Sequence, residues 1–273
     1  MDQAIILAAG CGSRLGQTTD GTPKCMIDVG GSTLLDHHIC ALRDVGIKRI
    51  CVVTGHESDQ VRASLDSTCD CLVNASFAET NSLYSLWLTR GCYSGGFMLI
   101  NCDVLAHPEV YRRVAEAQGC ALAYDSSSGA DPEHMKLQIV DGRLVTISKT
   151  LDREIVCGEN VGILKFDAQG AQHLYRKAHG FITTGARSTW APAAVDGIAR
   201  QIDVSCIDVA DLPWVEIDFA EDYADARSRV WPAIARTISR SSLRPDWQLQ
   251  PRSVWDEDLN RSSEPFTALE SAS

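Results

Sequence analysis

No apolar run in these 273 residues approaches the roughly 18 that a membrane-spanning helix needs, and no membrane partner is expected. Basic residues are in the minority, with 25 Lys and Arg against 36 Asp and Glu and a net charge of −11. A surface of that sign repels nucleic acid. It does not exclude a nucleotide, whose binding is decided by a local pair of cations. A basic stretch before the first apolar run is missing, so no signal peptide is expected. The eleven cysteines lack zinc spacing, since Cys69-x-Cys71 has no second ligand pair. Cys40, Cys51, Cys102, Cys120 and Cys206 lie inside apolar runs and read as small buried hydrophobes of a reducing, cytoplasmic compartment. Two widespread glycine signatures are missing as well. Leu15 stands where a G-x-G-x-x-G loop needs its third glycine, and Gly16 is followed by Gln17-Thr18 where a P-loop needs Lys and Ser or Thr.

What is present begins at Ala4–Ala9, an apolar run too short for a helix, which reads as a buried strand. It empties into Gly10-Cys11-Gly12-Ser13-Arg14-Leu15-Gly16, with Pro23-Lys24 beyond. Glycines let backbone N–H groups close on a phosphate with no Cβ in the way. Arg14 offers a planar fork for phosphate oxygens, and Lys24 a mobile point charge. A bare turn would explain Gly10 and Gly12 but not the two cations, so the loop reads as a polyphosphate site.

Apolar residues at helical spacing follow at 34–45, closed by Gly46, and then a strand at 50–54, a short helix at 57–66 and a strand at 71–74. Such alternation implies βαβ units and a mainly parallel sheet, hence an α/β class. Asn81 is placed to cap a helix carrying Leu83, Leu86 and Trp87 inward. The run 97–103 reads as a buried strand ending in the Asp103 carboxylate, at the strand end where parallel sheets bind ligands. Helix 107–118 and strand 120–125 come next, then a loop over 126–132. Residues 136–140 and 143–147 with Asp141-Gly142 between them form a hairpin signal. Helices are expected at 167–179 and 190–200, and strands at 204–209 and 214–218. Alternation sets Glu216 and Asp218 on one face, where two carboxylates repel unless a cation lies between them. A helix from Ala220 is expected to end near Pro232. The polar residues 239–273 read as a flexible tail after a domain of residues 1–238.

Leu7-Ala8-Ala9-Gly10-x-Gly12-x-Arg14-Leu15-Gly16, followed by Pro23-Lys24, resembles the signature of the nucleotidyltransferases that activate sugar phosphates and alcohol phosphates. Thr80-Asn81-Ser82-Leu83-Tyr84-Ser85-Leu86 resembles the T-N-x-x-S-L segment of their phosphocholine, aminoalkylphosphonate and inositol-phosphate cytidylyltransferase branch, and the Q-P-x-G-x-A pattern of the sugar enzymes is absent. Asn101-Cys102-Asp103 keeps the aspartate of the family's G-D-x element without its glycine. Ser148-Lys149, Gly158-Glu159-Asn160-Val161-Gly162 and Trp214-Val215-Glu216-Ile217-Asp218 match further family motifs, so the resemblance spans residues 3–230. It implies a doubly wound, mostly parallel sheet with an inserted β-hairpin. It implies further that CTP is bound by Leu7, Ala8, Ala9, Gly10, Gly12, Ser13, Thr80, Asn81, Ser82 and Ser85. Catalysis would rest on Arg14, Lys24 and Lys149, and Mg²⁺ on Asp103, Asp218 and Glu216. A small phosphonate or phosphate acceptor with a cationic end needs a carboxylate or an aromatic face, for which Asp125, Glu159, Tyr84 and Trp190 are the candidates, with Lys136 and Asn160 nearby in sequence. A homodimer is compatible with this reading. The alternative within the family is a sugar-1-phosphate or inositol-1-phosphate nucleotidyltransferase using another NTP; two other classes remain beside it, a glycosyltransferase of related fold and a non-catalytic nucleotide sensor. Arg14 and Lys24 speak against the first, and the retained acidic residues against the second.

Overall fold

The computed structural model describes residues 1–12, 14–15, 21–92, 95–128 and 132–238, so the tail expected at 239–273 lies outside the described residues. The chain runs β1 (Gln3–Ala8), β2 (Asp28–Val29), β3 (Ser32–Thr33), α1 (Leu34–Asp44), β4 (Arg49–Thr54), α2 (Ser58–Ser64), β5 (Cys69–Val73), α3 (Ser82–Leu88), β6 (Phe97–Asn101), β7 (Val104–Ala106) and α4 (Pro108–Glu116). It continues through β8 (Cys120–Asp125), β9 (Lys136–Val140), β10 (Arg143–Ser148), β11 (Gly158–Phe166), α5 (Ala168–Thr183), α6 (Pro192–Ala199), β12 (Val204–Asp208), β13 (Trp214–Glu216), α7 (Ala220–Asp225) and α8 (Trp231–Thr237).

Nine strands form the main sheet in the order β5-β4-β1-β6-β11-β8-β12-β10-β9. From β5 to β12 all strands share one direction except β11, which is antiparallel to both β6 and β8. The expected mostly parallel sheet is therefore present, and the β9–β10 hairpin is its insertion, turning through Asp141 (φ 50°) and Gly142 (φ 73°). Each face of the sheet is covered. Ala4, Ile6 and Ala8 of β1 pack with α1 and α4 through Leu35, Ile39, Val110 and Val114, while Ile5 and Leu7 pack with α3, α5 and α6 through Leu83, Leu174 and Ile198. Burial on both sides explains why the strand sequences run apolar without alternation.

The chain leaves β1 towards β4 and β5 and then returns to β6 on β1's other side. That reversal opens a crevice past the carboxyl ends of β1 and β6, the place where open α/β sheets take ligands. A second, small pairing feeds it. β13 lies antiparallel to β7 with Glu216 opposite Val104, and the Ile217 N–H donates to the Asp103 carbonyl at 2.9 Å.

One expectation about the last helix fails. The helix does not stop near Pro232 but passes from α7 through a π-helical turn, Ala226–Val230, into α8. The wide turn restarts the helix with Pro232 in the first turn of α8, where a missing N–H costs no hydrogen bond. Ala226, Val230 and Ile234 then stay buried against Ile217 and Leu34, so the helix braces the strand bearing the acidic residues.

His38 of α1 is fully buried, with Nδ1 2.6 Å from the Tyr111 hydroxyl of α4. Burial pushes its imidazole from 6.5 down to about 4. The unfolded chain then takes up a proton near pH 6.5 that the folded chain refuses until about pH 4. Stability linked to His38 is full above pH 6.5 and declines as pH falls towards 4, by on the order of 3 kcal/mol in all. Denaturant titrations across that window should show a shallower decline for His38→Asn than for the parent.

Candidate active site

A cleft of about 410 Å³ occupies the crevice. Its floor is the end of β1 and the following loop, through Leu7, Ala9, Gly10, Gly12 and Arg14. Gly12 has φ +59°, and a Cβ there would lie 3.3 Å from Cβ of Lys24, so glycine lets the lysine stem pack beneath the loop. Ala8 is not part of the lining; its side chain joins the core. Ser13 and Gly16 lie outside the described residues.

One wall is built by the start of α3. Asn81 caps the helix, its side chain accepting from the Ser82 N–H, and Thr80, Asn81, Ser82 and Ser85 all face the cleft. The buried Asn74, which the sequence did not single out, donates from Nδ2 to Thr80 Oγ1 at 3.0 Å and Ser85 Oγ at 3.1 Å. Its place just after a strand of unremarkable sequence carries no motif by which to find it. The Ala191 N–H donates to Ser82 Oγ at 2.8 Å, fastening the loop that carries Trp190 to this wall.

Across from it stand the acidic residues. Asp103, Glu216 and Asp218 each offer an oxygen, and these oxygens lie within 4.8 Å of one another. Lys24 reaches into the group, its Nζ 3.0 Å from Asp103 Oδ2 and 2.5 Å from Asp218 Oδ1. Burial alone would lower the lysine's pKa, yet Asp103 and Asp218 outweigh it and hold the ammonium above its ordinary value. Glu216 is shifted upward, by burial first and then by Asp103 and Asp218. Asp103 Oδ1 is buried with no hydrogen-bond partner. Three carboxylates, one with an unsatisfied oxygen, form an all-oxygen donor set of the kind that suits a hard divalent cation.

Lys24 was expected on the triphosphate, and the structure places it among the carboxylates. A lysine just beyond a glycine-rich loop reads as a phosphate ligand from sequence. The β7–β13 pairing that brings the acids to it is invisible there. Arg14 is about half exposed, at 3.6 Å from Asp218 Oδ2 and 3.5 Å from Glu133 Oε2. Lys149 also lines the cleft, 3.2 Å from Glu133 Oε2 and 5.1 Å from the Trp190 ring centroid. Glu133, Phe77, Met135 and Pro192 also line the cleft without having been anticipated.

Of the acceptor candidates, Asn160 and Trp190 line the cleft and four do not. Asp125 Oδ2 accepts from Trp214 Nε1 at 2.9 Å and Oδ1 from the Ser127 hydroxyl at 2.6 Å, so its carboxylate serves the fold. Glu159 is buried against Ser128 Oγ (2.5 Å) and His134 Nδ1 (2.9 Å). Lys136 is buried too and donates to the carbonyls of Lys149 (3.0 Å), Pro132 and His134 (each 3.3 Å), fixing the loop beside Lys149 rather than a ligand. Tyr84 packs on Trp87 with Arg187 over its ring.

Comparison with known proteins agrees with this geometry. The chain is 25% identical over 231 residues to the bifunctional IPC transferase and DIPP synthase of Aquifex aeolicus (strain VF5), covering 83% of this chain. It spans about half the length of that relative, 51%. It is 26% identical over 226 residues to the 2-aminoethylphosphonate cytidylyltransferase of Lancefieldella rimae, covering 81% of this chain and 90% of the relative. The inositol-1-phosphate CTP transferase of T. maritima has the same fold, with a TM-score of 0.73 at 22% identity over 86% of this chain and 96% of its own. No described helix is long and apolar enough to cross a membrane. Residues 4–161 match the MobA-like NTP transferase domain, and the chain belongs to that family of nucleotidyltransferases.

Proposed function

We propose that the chain transfers a cytidylyl group from CTP to a small phosphonate or phosphate-ester acceptor of the 2-aminoethylphosphonate, phosphocholine or 2-hydroxyethylphosphonate type, with Mg²⁺, releasing pyrophosphate. The observation that carries this reading is the meeting, in one cleft, of the Gly10–Arg14 loop, the Asp103, Glu216 and Asp218 group and the Thr80–Ser85 wall. An acceptor phosphonate oxygen attacks the α-phosphorus. That bond forms as the bond from the α-phosphorus to the oxygen bridging to the β-phosphate breaks, and pyrophosphate departs with the electron pair. No enzyme nucleophile is needed, so rate comes from positioning and charge neutralisation.

In this reading the N–H groups after β1 and the Arg14 guanidinium hold the triphosphate, and Arg14 meets the charge that grows on the α-phosphate. Mg²⁺ held by Asp103, Asp218 and Glu216 would supply the remaining neutralisation of the phosphate oxygens. Lys149, beside Trp190 and Glu133 in the cleft, holds the acceptor's phosphonate. The short side chains of Thr80, Asn81, Ser82 and Ser85 leave room for a pyrimidine. Cytosine's N4 donor and O2 and N3 acceptors suit them and the backbone at Ala9–Gly10.

The relatives support cytidylyl transfer, and they favour two acceptor classes. The Lancefieldella rimae protein is named for 2-aminoethylphosphonate, whereas the T. maritima neighbour is named for inositol 1-phosphate. Pyrophosphate release from CTP, UTP, GTP, ATP and dTTP, each against 2-aminoethylphosphonate, phosphocholine, 2-hydroxyethylphosphonate, inositol 1-phosphate and hexose 1-phosphates, separates them. Release with CTP and an amino- or hydroxyalkyl acceptor is the expected result. Preferred use of UTP or dTTP with a hexose 1-phosphate would overturn both halves of the proposal.

A further inference from the structure

Among the described residues four carboxylates line the cleft: Asp103, Glu133, Glu216 and Asp218. Three of them make up the cluster around Lys24. Glu133 stands apart, on the stretch just before β9, and spans the cleft between two cations. Its Oε2 is 3.5 Å from Arg14 Nη1 on the phosphate loop and 3.2 Å from Lys149 Nζ on the acceptor side. The Trp190 ring, half exposed, lies under that same Lys149 ammonium, 5.1 Å from its centroid.

We infer that Glu133, with Trp190 beside it, recognises the cationic end of the acceptor and makes the enzyme prefer zwitterionic aminoalkyl phosphonates and phosphates over neutral-ended ones. This rests on the acceptor class proposed above. The argument is one of charge exchange. Arg14 and Lys149 are the cations that take the two substrates' phosphoryl groups, so each arriving anion competes with Glu133 for its partner. An acceptor carrying only negative charge weakens the Glu133–Lys149 pair and returns nothing to the carboxylate. A zwitterion inserts into the pair instead. Its phosphonate meets Lys149 while its ammonium, two or three carbons away, meets the adjacent Glu133 carboxylate and the Trp190 face, which itself favours a cation. The other carboxylates weighed for this task, Asp125 and Glu159, do not line the cleft.

The test compares Glu133→Gln with the parent on two near-isosteric acceptors, 2-aminoethylphosphonate and 2-hydroxyethylphosphonate, at saturating CTP. For the amino acceptor KM should rise about tenfold, the low end for losing a charge-assisted contact at a half-exposed site. For the hydroxy acceptor KM should stay unchanged or fall, and KM for CTP should stay within about twofold. Glu133→Asp should keep part of the preference. Trp190→Leu should weaken the amino acceptor more than the hydroxy one, giving a second reading should the glutamine variant fold poorly. Equal effects on both acceptors, or none, overturn the inference. A rise confined to KM for CTP does so too, because it would put Glu133 on the triphosphate. Those outcomes leave the proposed reaction standing, whereas a parent enzyme that transfers to neither acceptor overturns the acceptor class and this inference together.

Discussion

Asp103→Asn and Asp218→Asn should each cut turnover by about 10³-fold or more at ordinary Mg²⁺, as should excess chelator on the parent. In the proposed reaction, several kcal/mol of phosphate charge neutralisation would depend on a cation held by those carboxylates. Self-repulsion among bare carboxylates would make both variants more stable than the parent without metal. The Lys24 contacts change that expectation. The ammonium already answers two of the three charges, at 3.0 and 2.5 Å, so losing one carboxylate relieves repulsion and removes a partner of Lys24 at once. Melting temperatures of the two variants without metal should therefore lie close to the parent's. Pyrophosphate release, chelator titration and thermal melts check this. Activity that survives in chelator, or in either variant, would put the metal elsewhere.

How much of this cleft the sequence discloses depends on how far apart its parts lie along the chain. The loop after β1 is contiguous, and Leu7, Ala9, Gly10, Gly12 and Arg14, which line the cleft together, lie close enough along the chain to be singled out from sequence. Asp103 and the Glu216–Asp218 pair are legible one by one, since each sits at a strand end or on an alternating face. Their union is not. It depends on the antiparallel β7–β13 pairing, with Glu216 opposite Val104, between segments over a hundred residues apart. The carboxylate partners of Lys24 are hidden for the same reason, since they arrive from those distant strands.

The acceptor side shows the opposite failure. Asp125, Glu159 and Lys136 have the right chemistry for a ligand, and sequence offers no way to see that Trp214, His134 and three backbone carbonyls already engage them. A buried charge has to be paired, and a partner inside the fold serves as well as a substrate. Glu133 is overlooked because an acidic residue in a loop is ordinarily solvated, and only the fold sets it between Arg14 and Lys149. Pro232 misleads more simply. It breaks an α-helix, but not one that a π turn has already restarted.

Arg14→Ala should lower kcat by about 10²–10³-fold, the range for losing one preorganised donor to a developing oxyanion. The structure adds a reason to expect the loss in kcat rather than in folding. Arg14 is about half exposed and its nearest carboxylates are 3.5 and 3.6 Å away, contacts too loose and too solvated to contribute much stability. Arg14→Lys should recover little, because an ammonium cannot present the planar fork. Lys24→Ala should behave differently on both counts. Its side chain is only 10% exposed and is paired to two carboxylates, so its removal leaves partly buried charge without an answer. The cost should be on the order of 2 kcal/mol, discounted because both carboxylates keep some contact with water. Mg²⁺ should restore most of that stability, since a divalent ion answers the same oxygens. If the ammonium leaves those carboxylates for a triphosphate, it would hold substrate in the ground state as well as at the transition state. KM for CTP should accordingly rise along with any fall in kcat. Steady-state kinetics and melts with and without Mg²⁺ separate the two cations. An Arg14→Ala enzyme with near-normal kcat would remove the guanidinium from the reaction, and a Lys24→Ala enzyme as stable without Mg²⁺ as the parent would remove the ammonium from the carboxylates.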